Sequence, residues 1–129
     1  MKIFLAGTFQ DKEDESMLKR VFDLLTREGH SVWWAPAKVG RGYESQDGDR
    51  MERIIATEEK AIEENDLFLA IMKKATFGTA MEIKHAFEHK KTIIAYLLSD
   101  SPDFNSVAFR LRVKNIVRND EELLDCLKN

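Results

Sequence analysis

Several features are scarce or missing in this 129-residue chain. Cys126 is the single cysteine, which excludes an internal disulfide, and we expect a cytoplasmic protein. No apolar run approaches membrane-spanning length, and the run at the amino terminus is too short for a signal peptide. The net charge is −3 and there is no basic block, so the sequence predicts neither a nucleic-acid partner nor a membrane partner.

Sequence signatures of cofactor and metal sites are missing as well. Gly7 and Thr8 follow the first apolar run, but a dinucleotide fingerprint needs three spaced glycines, and this turn is not a Walker loop either. The three histidines and Cys126 stand at scattered positions without metal-ligand spacing. We therefore expect no cofactor and no metal.

What the chain does have is an alternation of short apolar runs and helix-length segments. With 43% hydrophobic and 33% charged residues, it fits a single globular domain over 1–129. The predicted strands are Lys2–Ala6, Ser31–Ala35, Asp66–Met72, Thr92–Leu98 and Asn115–Val117. The predicted helices are Glu13–Arg27, Asp49–Glu64, Thr79–Lys90, Phe104–Arg112 and Asp120–Leu127, with a loop over Pro36–Gly48. Right-handed crossovers then favour an α/β, flavodoxin-like or Rossmann-like three-layer sandwich with a mostly parallel sheet in the order 2-1-3-4-5.

Glu58 is a carboxylate on the core-facing side of a predicted helix. At 100° per residue the helix Asp49–Glu64 has one apolar stripe, and Glu58 falls in its middle. The stripe consists of Met51, Ile54, Ile55, Ala61 and Ile62. Burying a carboxylate there is costly unless it is paired or reaches water. The position indicates a stripe that ends near a loop, a bond to a backbone amide, or a functional group.

Glu82 follows the buried run Asp66–Met72, at the start of the next predicted helix. Open parallel sheets bind ligands at the carboxyl ends of their strands. Spacing alone also permits a capping box with Thr79 or a pair with His85, one turn on. Two carboxylates near one strand end would also suit sugar chemistry, in which one attacks the anomeric carbon and the other orients the sugar or moves a proton.

Three motifs make the chain similar to the nucleoside 2-deoxyribosyltransferase superfamily, which includes the 2′-deoxynucleoside 5′-monophosphate N-hydrolases. They are Gly7-Thr8-Phe9, Glu58 ahead of Asn65-Asp66-Leu67-Phe68, and Gly78-Thr79-Ala80-Met81-Glu82. The resemblance runs from Ile3 to about Arg110, and its most specific part is the Gly-x-x-x-Glu frame of the family's nucleophile. It implies that Glu82 is a catalytic nucleophile that forms a glycosyl intermediate. It also implies that Glu58, where the family usually has an aspartate, contacts the sugar and assists Glu82.

The resemblance further implies a set of substrate contacts, at Gly7, Thr8, Phe9, Gln10, Thr76, Gly78 and Ser106. Thr76 stands where transferases carry an aspartate and the nucleotide hydrolases carry a serine that touches phosphate. Ser106 falls on a second hydrolase serine, which reaches phosphate from the neighbouring subunit. The hydrolases' arginine after the first strand and the transferases' aromatic tail are both missing here. Transfer and hydrolysis therefore both stay open.

The expected function is cleavage of the N-glycosidic bond of a (deoxy)nucleoside or nucleoside 5′-monophosphate, a small-molecule substrate. Both branches of the superfamily form dimers or larger assemblies, so the resemblance implies a homodimer or higher homo-oligomer, and Met81 suits a subunit contact. Two alternatives remain: a non-catalytic nucleotide- or nucleotide-sugar-binding module, and an NAD glycohydrolase with similar glutamate chemistry.

Overall fold

A computed structural model of the chain describes residues 1–7, 11–35 and 48–128. Its strands are β1 (Lys2–Gly7), β2 (Ser31–Trp34), β3 (Leu67–Met72), β4 (Thr92–Leu97) and β5 (Asn115–Val117). Its helices, labelled here in chain order, are α1 (Lys12–Arg27), α2 (Gly48–Glu64), α3 (Phe77–Glu88), α4 (Val107–Arg112) and α5 (Asp120–Lys128). A 3-10 turn over Pro102–Asn105 precedes α4. Within these ranges no helix is both long and apolar enough to cross a bilayer.

The five strands form one parallel sheet in the order β2-β1-β3-β4-β5. This confirms the predicted α/β class and strand order. In register, Ile3 lies opposite Val32 on one side and Leu67 on the other, and Leu67 lies opposite Thr92. Helices α1 and α5 pack on one face of the sheet, and α2, α3 and α4 pack on the other.

The central strand β3 is buried along its whole length. It contributes side chains to two hydrophobic cores, one on each face of the sheet. Because successive strand side chains point to opposite faces, they divide into two sets. Leu67, Leu69 and Ile71 pack towards α1 and α5. Phe68, Ala70 and Met72 pack towards α2 and α3. The second set seats α2 and α3 side by side, which places Glu58 and Glu82 on the same face of the sheet.

The boundary that matters most for the site is the start of α3. The helix begins at Phe77, two residues earlier than predicted, because Thr76 is its N-cap and accepts the N–H of Thr79 at 3.3 Å. Thr79 is therefore not the cap, and the expected capping box with Glu82 is wrong. Glu82 lies in the second turn of α3 rather than the first.

Several other element ends differ from the prediction by one or two residues, and two differences are larger or need comment. The predicted helix over Phe104–Arg112 is divided into the 3-10 turn and α4, because Ser106 begins a new helix by accepting the N–H of Phe109. Of the predicted loop, residues 36–47 lie outside the described residues, and Gly48 is the first residue of α2.

Candidate active site

The carboxyl groups of Glu58 and Glu82 lie within hydrogen-bonding reach of each other, and each changes the pKa of the other. Glu58 comes from the middle of α2 and Glu82 from the second turn of α3, and these two helices are in contact. Both residues are partly buried. Because an ionised carboxylate can only accept hydrogen bonds, a bond between two carboxyl groups requires a proton on one of them. The raised pKa values of both groups favour that protonated form.

Helical spacing explains why both carboxyl groups turn inward. On α2, Ile54 and Ile62 lie one turn before and after Glu58, and both are buried. On α3, Thr79 and Ile83 flank Glu82 and are also buried. The predicted stripe on α2 needs one correction: Ile55 is 52% exposed, so the apolar face is narrower than the sequence pattern indicated.

Burial and proximity change the proton affinity of both carboxyl groups. Burial raises the pKa of Glu82 well above its usual range, and the charge of Glu58 and their hydrogen bond raise it further. Burial also raises the pKa of Glu58, while the hydrogen bond from Glu82 opposes that rise. The two carboxyl groups therefore titrate as a coupled pair, and Glu82 holds a proton more tightly than an isolated glutamate does. Carboxyl pairs of this kind cluster at functional sites.

His85 does not pair with Glu82, although their spacing along the sequence permits such a pair. Its Nε2 lies 2.8 Å from the Glu63 carboxylate and its Nδ1 lies 3.4 Å from that of Glu59. Both glutamates belong to α2, so the partners of His85 come from the neighbouring helix. The partner of Glu82 is Glu58.

The two hydroxyls expected at a phosphate, Thr76 and Ser106, are both helix N-caps. The Thr76 oxygen accepts the N–H of Thr79 at 3.3 Å, and the Ser106 oxygen accepts that of Phe109 at 3.2 Å. A hydroxyl that accepts one hydrogen bond still has its own hydrogen to donate. Each side chain can thus cap its helix and donate to a ligand oxygen.

The segment between β3 and α3 is held by two side chains that are not among the predicted site residues. Asp103 accepts the N–H of Ala75 at 2.9 Å, and the Ser99 hydroxyl donates to the backbone carbonyl of Lys73. These bonds fix the approach to Thr76 and so the direction of α3. The only local signal is that both residues follow β4, the strand beside β3, at the same edge of the sheet.

Gly7 and Gly78 of the predicted site differ in how much space surrounds them. A Cβ on Gly7 would lie 2.7 Å from a Leu18 methyl carbon and 3.1 Å from the Ile71 carbonyl oxygen, so close packing of α1 explains this glycine. A Cβ on Gly78 would meet nothing within 4 Å. The described fold leaves the space beside Gly78 open. The remaining candidates, Thr8, Phe9 and Gln10, lie outside the described residues.

A cavity of about 300 Å³ opens on the α1 side of the sheet. Its lining residues are Asp11, Asp14, Met17, Leu18, Ile71, Lys73, Lys74 and Leu98. Neither Glu58 nor Glu82 lines it, because both belong to helices on the opposite face. An ion pair between Lys73 and Asp14, 2.6 Å long, lies at this cavity. The carboxyl pair and this cavity are therefore separate features of the structure.

The structure partly corrects the expectation that the histidines lack metal-ligand spacing. His85 and His89 are one turn apart at the end of α3, and Glu63 of α2 lies beside them. One ligand atom from each of the three lies within 4.8 Å of the others. The linear sequence shows the histidine spacing but not the third ligand, which comes from another helix.

No protein-family model and no curated protein matches this chain. Several solved structures, in contrast, match the fold of this chain. The 2-deoxyribosyltransferase of Bacillus psychrosaccharolyticus superposes with a TM-score of 0.81 at 15% identity, over 95% of this chain and 90% of the other. This chain has the nucleoside 2-deoxyribosyltransferase-like fold. The same fold is found in a CMP N-glycosidase of Clostridium botulinum, with a TM-score of 0.58 at 22% identity over 99% and 98% of the two chains.

A third structure supports the nucleoside 2-deoxyribosyltransferase-like fold. It is a conserved protein from Enterococcus faecalis V583, with a TM-score of 0.72 at 16% identity over 99% of this chain and 97% of the other. In all three comparisons nearly the whole chain is matched although few residues are identical. The resemblance inferred from the short motifs is thus confirmed for the fold.

Within the nucleoside 2-deoxyribosyltransferase-like fold, the carboxyl pair lies towards the ligand-binding edge of the sheet. Helix α3 starts at the carboxyl end of β3, and Glu82 is in its second turn. The amino end of α3 also carries a partial positive charge that favours anionic groups. A carboxyl pair with raised pKa values near such an edge can supply a nucleophile and move a proton.

Proposed function

We propose that this chain cleaves the N-glycosidic bond of a nucleoside or nucleoside 5′-monophosphate, with Glu82 as the nucleophile. The observation that carries the proposal is the adjacent, partly buried pair of Glu58 and Glu82, both with raised pKa values. Two structural neighbours support the general chemistry, since one is a 2-deoxyribosyltransferase and the other a CMP N-glycosidase. Perturbed, adjacent carboxyl groups on that fold are what such chemistry requires.

The reaction has two displacements at C1′ of the sugar. First, a Glu82 carboxylate oxygen bonds to C1′ while the bond from C1′ to the base nitrogen breaks, and the base leaves with that electron pair and takes up a proton. Second, the oxygen of water or the nitrogen of another base bonds to C1′, loses a proton, and releases the Glu82 carboxylate. Water gives hydrolysis, and a second base gives transfer.

Glu58 assists from beside Glu82 rather than from across the sugar. Carboxyl groups that flank a sugar in retaining glycosidases are about 5 Å apart, whereas Glu58 and Glu82 lie within hydrogen-bonding reach, too close for a sugar between them. Glu82 must lose its proton before it attacks, and Glu58 is placed to accept it. Glu58 therefore acts as the proton acceptor and orienting partner of the nucleophile.

We infer that Thr76 and Ser106 contact a 5′-phosphate. Each caps a helix with its oxygen and keeps a hydrogen to donate. An aspartate at position 76 would repel a phosphate, whereas a hydroxyl does not, so Thr76 favours a monophosphate over an unphosphorylated nucleoside.

We also infer a homodimer through the outer sides of α3 and α4. Phe77 and Met81 are one turn apart on α3, and Val107 and Leu111 are one turn apart on α4. Their exposed fractions are 89%, 69%, 72% and 62%, in that order. Apolar side chains exposed on two adjacent helices favour a protein contact. Light scattering after gel filtration should give the mass of a dimer for the wild type and of a monomer for Met81→Asp with Leu111→Asp.

Product analysis by chromatography tests the proposed reaction. The protein is incubated with deoxynucleosides and with deoxynucleoside 5′-monophosphates, each with and without a second free base. Free base released only from monophosphates identifies a nucleotide hydrolase, and a new nucleoside identifies a transferase. Glu82→Ala is the control and should form neither. Ligand binding without any Glu82-dependent product would favour the binding module, and nicotinamide released from NAD would favour the NAD glycohydrolase.

A further inference from the structure

A cluster of two imidazoles and a carboxylate joins the ends of α2 and α3. His85 lies in the last turn of α3, His89 is its C-cap residue, and Glu63 is the second-to-last residue of α2. The two imidazole rings are 4.3 Å apart between centroids. Glu63 Oε2 lies 2.8 Å from His85 Nε2 and 3.9 Å from His89 Nε2. One ligand atom from each side chain lies within 4.8 Å of the others.

Each imidazole is oriented by a second hydrogen-bonding partner. The Nδ1 of His89 lies 2.9 Å from the backbone oxygen of His85, and since a carbonyl can only accept, this nitrogen carries the hydrogen. The lone pair of the neutral ring is then on Nε2, facing Glu63. The Nδ1 of His85 lies 3.4 Å from Glu59, which can accept its hydrogen and leave Nε2 available in the same way. Metal-binding histidines are usually held by such partners.

We propose that Glu63, His85 and His89 bind a divalent transition-metal ion of the Zn²⁺ class. Two imidazole nitrogens and one carboxylate oxygen suit Zn²⁺, Co²⁺ or Ni²⁺, whereas Mg²⁺ and Ca²⁺ prefer all-oxygen ligands. Tetrahedral donors about 2.0–2.1 Å from zinc are roughly 3.4 Å apart. The separations of 2.8 and 3.9 Å from Glu63 fall on either side of that value, and the two imidazole ligand atoms lie within 4.8 Å of each other, so side-chain rotations would bring the three donors to one ion.

The cluster is partly open to solvent. The side chains of Glu63 and His89 are 44% and 41% exposed, so solvent reaches the space between them. The backbone of Glu63 is fixed, because the Lys91 ammonium donates to its carbonyl at 2.7 Å and so ties the end of α2 to the residue before β4. Three protein ligands with water in the fourth position are a common zinc arrangement.

This metal site is distinct from the proposed catalytic pair. It uses different side chains from Glu58 and Glu82, although it bridges the same two helices. A bound ion would link α2 to α3 and stabilise the folded chain, because the unfolded chain does not hold the three ligands together. Its test can therefore be read from binding and stability, without any assay of activity.

The experiment is a titration of EDTA-treated, full-length protein with ZnCl₂, followed by calorimetry and by thermal unfolding. We expect one Zn²⁺ per chain and a rise in Tm of at least about 3 °C at saturation. His85→Ala, His89→Ala and Glu63→Gln should each weaken binding roughly tenfold or more. The matched controls are His30→Gln, which removes the histidine outside the cluster, and Cys126→Ser, which removes the thiol; both should bind as the wild type does.

Co²⁺ provides a second measurement that does not depend on stability. Protein loaded with one Co²⁺ should show the visible absorption of a four- or five-coordinate ion, and His89→Ala should lose it while keeping its circular dichroism spectrum. Three results would overturn the proposal: no binding at a one-to-one ratio, unchanged binding after both His85→Ala and His89→Ala, or binding abolished by Cys126→Ser.

Discussion

The carboxyl group of Glu82 lies within hydrogen-bonding reach of that of Glu58, which comes from the neighbouring helix. Burial, rather than a basic partner, is the main reason why the proton stays on this pair where an exposed glutamate would be ionised. The ionisation of each carboxyl group therefore depends on the other. Replacing either one changes both the charge and the proton affinity of its partner.

The first prediction concerns the division of roles within the pair. Glu82→Gln removes the nucleophile with little change of shape, so we expect kcat/KM to fall by roughly 10³-fold or more. Glu58→Gln keeps the nucleophile but cannot take its proton, and we expect a fall of about 10²-fold. Steady-state base release measures both. Glu52→Gln, at an exposed position of α2, is the control and should keep full activity. The assignment of Glu82 and Glu58 would be contradicted if their two variants stayed active while Glu52→Gln lost activity.

The second prediction is a pH-dependent stability. Both carboxyl pKa values are raised in the folded state, so the folded protein holds these protons more tightly than the unfolded chain. The free energy of unfolding should thus fall as the pH rises from about 4.3, the ordinary glutamate value, through the raised values. Glu82→Gln mimics the protonated form, so its free energy of unfolding should fall less than that of the wild type over the same rise in pH. Each unit by which the folded pKa of Glu82 exceeds the unfolded one is worth about 1.4 kcal/mol.

Urea unfolding at about pH 4, 6 and 8 measures this difference. The control is Glu88→Gln, on the same helix, where Lys84 lowers the pKa of the Glu88 carboxyl. The Glu88 pair stabilises the wild type above the ordinary glutamate pKa and is lost as the pH falls. Relative to the wild type, Glu88→Gln should therefore become slightly less stable as the pH rises, whereas Glu82→Gln should become more stable. A difference between wild type and Glu82→Gln that stays constant with pH would contradict the raised pKa of Glu82.

The strands and their order are predictable from the sequence for a physical reason. A run such as Leu67–Met72 is apolar at every position because a central parallel strand is buried on both faces. Right-handed crossovers then leave few orders for five strands. Glu58 stands out in the same way, since a carboxylate in an apolar stripe needs an explanation.

What the sequence could not predict are contacts between separate elements. Thr76 and Thr79 both suit an N-cap, and only the folded loop, held by Asp103, selects Thr76. His85 contacts Glu63 because α2 packs on α3. Helical spacing within one segment cannot reveal a contact between two helices. The contacts that position a site are therefore harder to predict than the residues that form it.

The third prediction separates stability from substrate binding at Gly78. A Cβ at this helical position meets nothing within 4 Å, so Gly78→Ala should raise the free energy of unfolding by roughly 0.5 kcal/mol. If the open space beside Gly78 admits the substrate, the same change should raise KM severalfold. Chemical unfolding and steady-state kinetics measure the two effects. A stabilised variant with unchanged KM would remove Gly78 from the substrate site.

The fourth prediction concerns the substrate's phosphate. Thr76→Asp keeps a side chain that caps α3, so the free energy of unfolding should change by less than about 0.5 kcal/mol. The added charge should lower kcat/KM for monophosphates at least tenfold relative to unphosphorylated nucleosides. Thr76→Val is the control for the cap: it should cost about 1 kcal/mol of stability. An unchanged preference in Thr76→Asp would place the phosphate elsewhere.

The most direct measurement is a search for the covalent intermediate on Glu82. Protein mixed with a cleaved substrate is quenched in acid within the first turnover, and its mass and peptides are analysed by mass spectrometry. We predict a mass increase equal to the sugar or sugar phosphate, carried by the peptide that contains Glu82, in the wild type and not in Glu82→Gln. An adduct on another residue would contradict the assignment of Glu82. So would turnover without an adduct that continues unchanged in Glu82→Gln.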